Sequence, residues 1–422
     1  MIETFLPHDR VARALTLSTA AHSLSSGVFY TVSALYFTRV IGLEATTVGL
    51  GLGIAGGVGV VASYAGGWLS DRVGAHHVQS WAMTLNGLAM LAYTFAADAL
   101  VFVLVACVAV GARSVQGSAK QAIIARWYVG PDRVTLRARM RVVTNVCIGL
   151  GTVTAAAALV VDTAAAYRAA MIAAGALLLV AAVPVVRLPY AVPALAATMT
   201  EASRRPTDAG QPTRGPSPWR DRTYVASVGL NAVVAMHFGL QTIGVPLWIA
   251  TTAAPTAMVS VLLVLNTVVV VVLQVRVSRG THDIRRAGIA VRQGSWLLAA
   301  ACVAYAAAGY GDVVTACALL VVAALVHGWG EVLGEAGGWG MAFGLADTRR
   351  AGAYQGLTQT GYAVAAMVSP ILVTATAIEH GTAGWLVLGG LLAAAGTGAA
   401  WVARRAAVER EGAADSRTVS DR

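Results

Sequence analysis

Two short stretches place ionisable side chains inside apolar runs. In VACVAVGARSVQGSAKQAIIARW (105–127), Arg113, Gln116 and Lys120 recur at i, i+3 and i+7, the spacing of one helix face. In VHGWGEVLGEAGGWG (326–340), His327, Glu331 and Glu335 recur at i, i+4 and i+8. Arginine stays charged at any physiological pH, so Arg113 acts as a fixed cation. A carboxylate or imidazole can take up and release a proton, so the second stretch reads as a titratable stripe. Glu331 is the first candidate for a proton carrier and Glu335 the second. His327 reads either as a hydrogen-bonded core histidine or as a relay. Gly330, Gly334 and Gly338 form a small-residue stripe beside the acids, along which another helix can approach closely.

The elements that hold these groups are set by composition. Of the 422 residues, 57% are hydrophobic and 12% charged, with a mean hydropathy of +0.69; soluble domains carry about 25% charged residues. A membrane span needs about 20 mostly apolar residues. Twelve such runs are present: 13–37, 46–69, 78–96, 99–125, 139–161, 167–188, 223–250, 256–276, 288–309, 313–341, 353–377 and 383–403. Backbone groups in lipid must pair within the span, so an all-α membrane protein with twelve transmembrane helices is expected. A cation at bilayer depth costs roughly 2.5–3.5 kcal/mol on insertion scales, so Arg113 should face a bundle interior or a wet cavity. Lys120, nearer the end of its run, can snorkel.

The net charge of +10 does not mark a nucleic-acid binder, because the basic residues sit in short clusters between apolar runs. On the twelve-span reading, 27 of the 30 basic residues fall on the side of the termini, Arg39 and Arg168 fall opposite, and Arg113 lies within a span. That asymmetry places both termini in the cytoplasm. Lys120 is the sole lysine, a bias that suggests a high-GC bacterial genome and hence a bacterial plasma membrane. Cys107, Cys147, Cys302 and Cys317 lie in apolar runs without C-x-x-C or neighbouring histidine, and read as small core residues. No metal site is read from the spacing. The N-terminal run reads as a retained span, not a cleaved signal.

The segment 190–222 is rich in Pro, Thr, Ser and Arg and reads as a flexible cytoplasmic linker. It divides the chain into an N-terminal six-helix bundle, 1–189, and a C-terminal one, 223–405, followed by a disordered tail, 406–422. The halves echo each other: aligning Asp132 with Asp347 sets Gln116 against Glu331 and Lys120 against Glu335. Two pseudo-symmetric bundles with a binding site between them are a common transporter plan.

The loop GGWLSDRVGAHH (66–77) contains Gly67-x-x-x-Asp71-Arg72-x-Gly74, which resembles the signature loop of the major facilitator superfamily. Arg113-x-x-Gln116-Gly117 resembles the second motif of its proton-coupled members. With twelve spans and a central linker, the resemblance covers nearly the whole chain. It implies that Gly67, Asp71, Arg72 and Gly74 form a gating motif that locks helix ends in one state of a transport cycle. The bare residues also fit a turn with a solvated ion pair. The resemblance further implies that spans one, four, seven and ten line a substrate cavity. His22, Ser26, Tyr30 and Ser33 on the first span and Asn231, His237 and Gln241 on the seventh suit a small amphiphilic molecule. Tyr36 and Trp248 lie near span ends, where aromatic residues also mark membrane interfaces.

The implied function is proton-coupled secondary transport by alternating access in a functional monomer, exporting drugs or natural products. Protons and a small molecule are the partners, and the proton gradient replaces any cofactor. Residues 75–77 are Ala-His-His where the family's loop is usually basic, and the fifth span, NVCIGLGTVTAAAA, lacks the Gly-Pro-x-x-Gly-Gly motif of many drug antiporters. Proton-linked uptake of a nutrient therefore stays open as an alternative. A membrane-embedded enzyme is more distant, since no nucleophile–base pair is present, and no nucleotide-binding P-loop appears.

Overall fold

The computed structural model describes residues 7–204 and 216–420. Their regular structure is helical throughout, with no strand among the described residues. The helices are α1 (Arg10–Leu35), α2 (Ala45–Val73), α3 (Ala75–Ala92), α4 (Ala99–Trp127), α5 (Pro131–Val161), α6 (Ala164–Ala191) and α7 (Pro193–Arg204). They continue with α8 (Arg222–Ile249), α9 (Met258–Val277), α10 (Ile284–Ala307), α11 (Val313–Gly344), α12 (Ala351–Val373) and α13 (Gly381–Ser420). Each of the twelve apolar runs falls on a long helix. Ten are long and apolar enough to cross a membrane. The other two, α1 and α3, carry several serines, threonines or histidines, and α3 has only 18 residues. Large apolar side chains such as Leu50, Val61 and Val153 stand exposed on the helix surfaces, as suits a lipid-facing exterior.

Scarce acidic residues start the helices. The carboxylates of Asp9, Asp98, Asp221, Asp283 and Asp312 each accept the N–H three residues on, satisfying one of the unpaired donors of a first turn. The internal repeat persists in the helix bounds. Shifted by the 215 residues that separate Asp132 from Asp347, α4 would run from 314 to 342; α11 runs Val313–Gly344.

Contacts divide the chain into two compact units. The first holds Met1–Val129, Arg139–Ser217 and Asp347–Ala363; the second holds Gly130–Ala138, Pro218–Ala346 and Val364–Arg422. In the first, α2 packs on α4, α1 and α3 pack on α6, and α3 also meets α4. Its centre is aromatic: Phe37 lies 4.7 Å from Phe102 and 5.0 Å from Tyr93, between ring centroids. In the second, α10 packs on both α11 and α13, and α9 on α11. The expected glycine stripe is used there. A Cβ on Gly294 of α10 would come within 2.6 Å of the Gly330 carbonyl oxygen and the Gly334 nitrogen, so only glycine permits this approach.

Three expectations change. The linker is not without periodicity: residues 193–204 form α7, with Pro193 in the first turn and Leu195 and Met199, one turn apart, fully buried against the first unit. Residues 205–215 of the expected linker lie outside the described residues. The tail is helical from 406 to Ser420 as part of α13, a stretch rich in Ala, Arg and Glu with an Arg405–Glu409 pair at i, i+4. Tyr36 and Trp248 are not interface markers. Both are buried, with the Tyr36 hydroxyl donating to the Tyr93 carbonyl and Trp248 Nε1 donating to the Tyr305 carbonyl at 2.7 Å. Trp248→Phe should therefore cost about 1–2 kcal/mol and lower the melting temperature in detergent, because a buried acceptor loses its donor. An unchanged melting curve would return Trp248 to an interface role. All four cysteines are free thiols, buried or half-buried.

Candidate functional site

Chemistry-bearing residues gather in three places. The first lies at the junction of α2 and α3. Gly74 makes the turn between them with φ +92°, a conformation L side chains rarely adopt, which explains the last glycine of the motif. One turn earlier, Asp71 Oδ1 accepts the Gly352 N–H at 2.7 Å and Arg126 Nη2 at 2.5 Å, while Oδ2 accepts the Ala353 N–H at 2.7 Å. Asp71 thus caps the first turn of α12 with both oxygens, where the helix dipole is positive. Its side chain is 14% exposed and that of Arg126 is 5% exposed. Glycine allows the approach: a Cβ on Gly67 would overlap the Gly352 carbonyl oxygen and sit 2.7 Å from Gly356 Cα. Just ahead of α12, Asp347 accepts from the Arg349 backbone and guanidinium, bonds that hold its carboxyl below the ordinary carboxylate range.

Of the expected gating residues, Gly67, Asp71 and Gly74 meet here. Arg72 does not join them; its guanidinium lies 3.3 Å over the Trp68 ring of its own helix. The cation beside Asp71 is Arg126, which sequence reading did not single out. Gly352, Ala353 and Gly356 were also missed, although Gly352-x-x-x-Gly356 is a small-residue spacing that marks a close helix contact.

The second place is the face shared by α1 and α4. Arg113 Nη1 donates to the Tyr30 hydroxyl at 2.8 Å, and Tyr30 is 54% exposed. The cation is therefore accessible, not enclosed. Along the same helix Gln116 is buried and Lys120 is half-buried, so burial is graded across the three residues. Ser26 donates to the His22 carbonyl within its helix, and Ser33 is half-buried.

The third place lies inside the second unit. His237 of α8, Asn266 of α9, and His327 and Glu331 of α11 converge there, all buried. His237 Nδ1 and His327 Nε2 are 3.3 Å apart, and Asn266 Nδ2 donates to Glu331 Oε2 at 3.2 Å. His237, expected as a cavity residue, is buried beside His327. Asn231 bonds to the Ser227 carbonyl, and Gln241 lines a small cleft with Asn266, Tyr305 and His327. Glu335, one turn beyond Glu331, has different surroundings: it accepts Trp339 Nε1 at 3.1 Å, and the Trp339 ring lies under Arg137, whose guanidinium carbon is 4.2 Å from the ring centroid.

Comparison with known proteins fits this picture. No curated protein matches the sequence. A bacterial homologue of the iron transporter ferroportin, in an outward-facing state, superposes with a TM-score of 0.71 at 13% identity, covering 94% of this chain and 99% of that one. The human organic anion transporter MFSD10 (TETRAN) gives 0.65 at 13% identity, covering 93% and 99%. The proton:xylose symporter XylE, bound to 6-bromo-6-deoxy-D-glucose, gives 0.58 at 14% identity, covering 92% and 94%. At these identities the likeness is one of fold. The sequence itself matches the family described as Major Facilitator Superfamily over residues 15–370, and the chain belongs to that superfamily: a multi-pass, all-α membrane transporter.

Proposed function

We propose that this chain is a proton-driven secondary transporter that exports small amphiphilic organic molecules across a bacterial plasma membrane. It works as a monomer with both termini in the cytoplasm. The alternating-access cycle makes and breaks the Asp71 cap on α12, a contact of one carboxylate with two backbone donors and one guanidinium. Tyr30, which holds Arg113, and Gln241, beside the cleft, are the leading substrate-facing residues. His22, Ser26, Ser33 and Asn231 lie along the same helices.

The observation that carries proton coupling is the buried Glu335. Ionisable side chains inside membrane helices are rare and mark ion or proton paths. Glu335 accepts from Trp339, and Arg137 over that ring is a cation from the first turns of α5. Glu331 and His327 lie one and two turns away on the same helix.

The test uses the full-length protein in liposomes with an imposed pH gradient and a chelator in all buffers. Wild type should accumulate an amphiphilic dye against its own gradient, in the direction of export. Glu335→Gln should keep downhill dye exchange but lose at least tenfold of the gradient-driven accumulation. A Glu335→Gln protein that accumulates dye as wild type does overturns the coupling assignment. Accumulation with the opposite polarity would make the protein a symporter.

A further inference from the structure

We infer that His237, His327 and Glu331 form a binding site for a divalent first-row transition-metal ion of the Zn2+ or Co2+ class. This goes beyond the transport reading and does not depend on it.

The three side chains come from two helices and are 1%, 2% and 2% exposed. Each offers one ligand atom, and those atoms all lie within 4.8 Å of one another. Two ligands bound tetrahedrally at about 2.0–2.1 Å from a zinc-like ion stand about 3.3 Å apart. His237 Nδ1 and His327 Nε2 are 3.3 Å apart. The two nitrogens already span a coordination edge, and the Glu331 carboxylate needs to close by at most about 1.5 Å to complete a face. Two imidazoles and a carboxylate suit borderline ions, whereas Ca2+ and Mg2+ prefer all-oxygen shells.

Asn266 supplies the second observation. Its amide nitrogen orients Glu331, as the outer partners of metal-bound carboxylates do. Its Oδ1, in a residue only 8% exposed, has no hydrogen-bond partner and lies beside Gly328, next to His327. A buried carbonyl oxygen without a donor is costly, and a cation at this cluster would satisfy it. The cleft that reaches Asn266 and His327, lined also by Gln241 and Tyr305, has room for about one water-sized occupant. That fits an exchangeable water ligand.

The full-length protein, purified without a polyhistidine tag and stripped with chelator, is titrated with Co2+ alone. The expected result is saturable binding of one ion per chain, with the intense visible bands of tetrahedral Co2+, displaced by Zn2+. Glu331→Gln, His327→Gln and His237→Asn should each weaken Co2+ binding at least tenfold. Zn2+ should raise the melting temperature of wild type and leave that of Glu331→Gln unchanged. Absence of stoichiometric binding, or variants that bind as tightly as wild type, overturns the site. Should the variants fail to fold, X-ray absorption on Zn2+-loaded wild type decides: two imidazole ligands support the site, and fewer overturn it. The Glu335→Gln transport assay runs in chelator, so either inference can fail while the other stands.

Discussion

Asp71→Asn should lower the transport rate at least a hundredfold while leaving a folded, membrane-inserted protein. The carboxylate accepts from three donors, the N–H groups of Gly352 and Ala353 and the Arg126 guanidinium. An asparagine of the same shape keeps one oxygen and turns an NH2 group toward donors, so at least one bond becomes a clash of like dipoles. It also leaves Arg126, 5% exposed, without its carboxylate. Breaking a buried ion pair from one side costs about 3–5 kcal/mol, because the remaining charge stays desolvated. That energy is lost only in the state where α12 is capped, so the cycle is biased and not the fold. Arg126→Gln should behave alike, and Asp71→Asn combined with Arg126→Gln should be much less impaired than the two separate losses predict. Additive losses would mean that the pair is not a coupled unit and would sink the gating role.

Gly67→Ala adds one methyl group and should produce the second large effect. The new Cβ meets the Gly352 carbonyl oxygen and lies 2.7 Å from Gly356 Cα and 2.9 Å from Gly356 N. These are backbone atoms on α12, so no rotamer change relieves the overlap. The helices must separate, which also lengthens the Asp71 bonds one turn away. Overpacking of this kind costs about 1–3 kcal/mol, enough to shift a two-state equilibrium about 5- to 150-fold at 1.4 kcal/mol per decade. Turnover should fall at least tenfold, with the melting temperature in detergent nearly unchanged. Gly57, where a Cβ would meet nothing within 4 Å, is the matched control on the same helix. Wild-type turnover by Gly67→Ala would remove the close contact from the mechanism.

Much of the fold was legible because a membrane span is a local property of sequence. Twelve apolar runs became twelve long helices, and the offset from Asp132 to Asp347 carried over to the bounds of α4 and α11. The Gly330 and Gly334 stripe also did what its spacing suggested. What failed was harder to see locally. Among the described side chains of α7, Leu195 and Met199 mark its buried face, inside a segment whose Pro, Ser and Thr content reads as linker. Residues 413–420 of α13 carry no apolar run, and their helix follows from the residues before them.

The sites divide in the same way. Titratable residues on one helix, such as Glu331 and Glu335, declare themselves by spacing, and both proved buried. Partners from other helices do not. Arg126 is 55 residues from Asp71, and His237 is 90 from His327. Neither separation has a sequence period, so both pairs depend on helix packing that composition does not specify. Gln116 shows the converse: spacing groups it with Arg113, but only packing sets how deeply each is buried.

The 40 residues of α13 rise about 60 Å, twice the roughly 30 Å hydrocarbon thickness of a bilayer. Gly288 of α10 receives Ala400 and Ala403 of α13, and farther along Arg285 pairs with Glu411 at 2.7 Å. The turns out to Glu411 thus run on from a packed helix pair. A spin label at the exposed Val408 would sit on the long arm of a lever, and small tilts of that pair would be magnified into displacements that pulsed resonance can read.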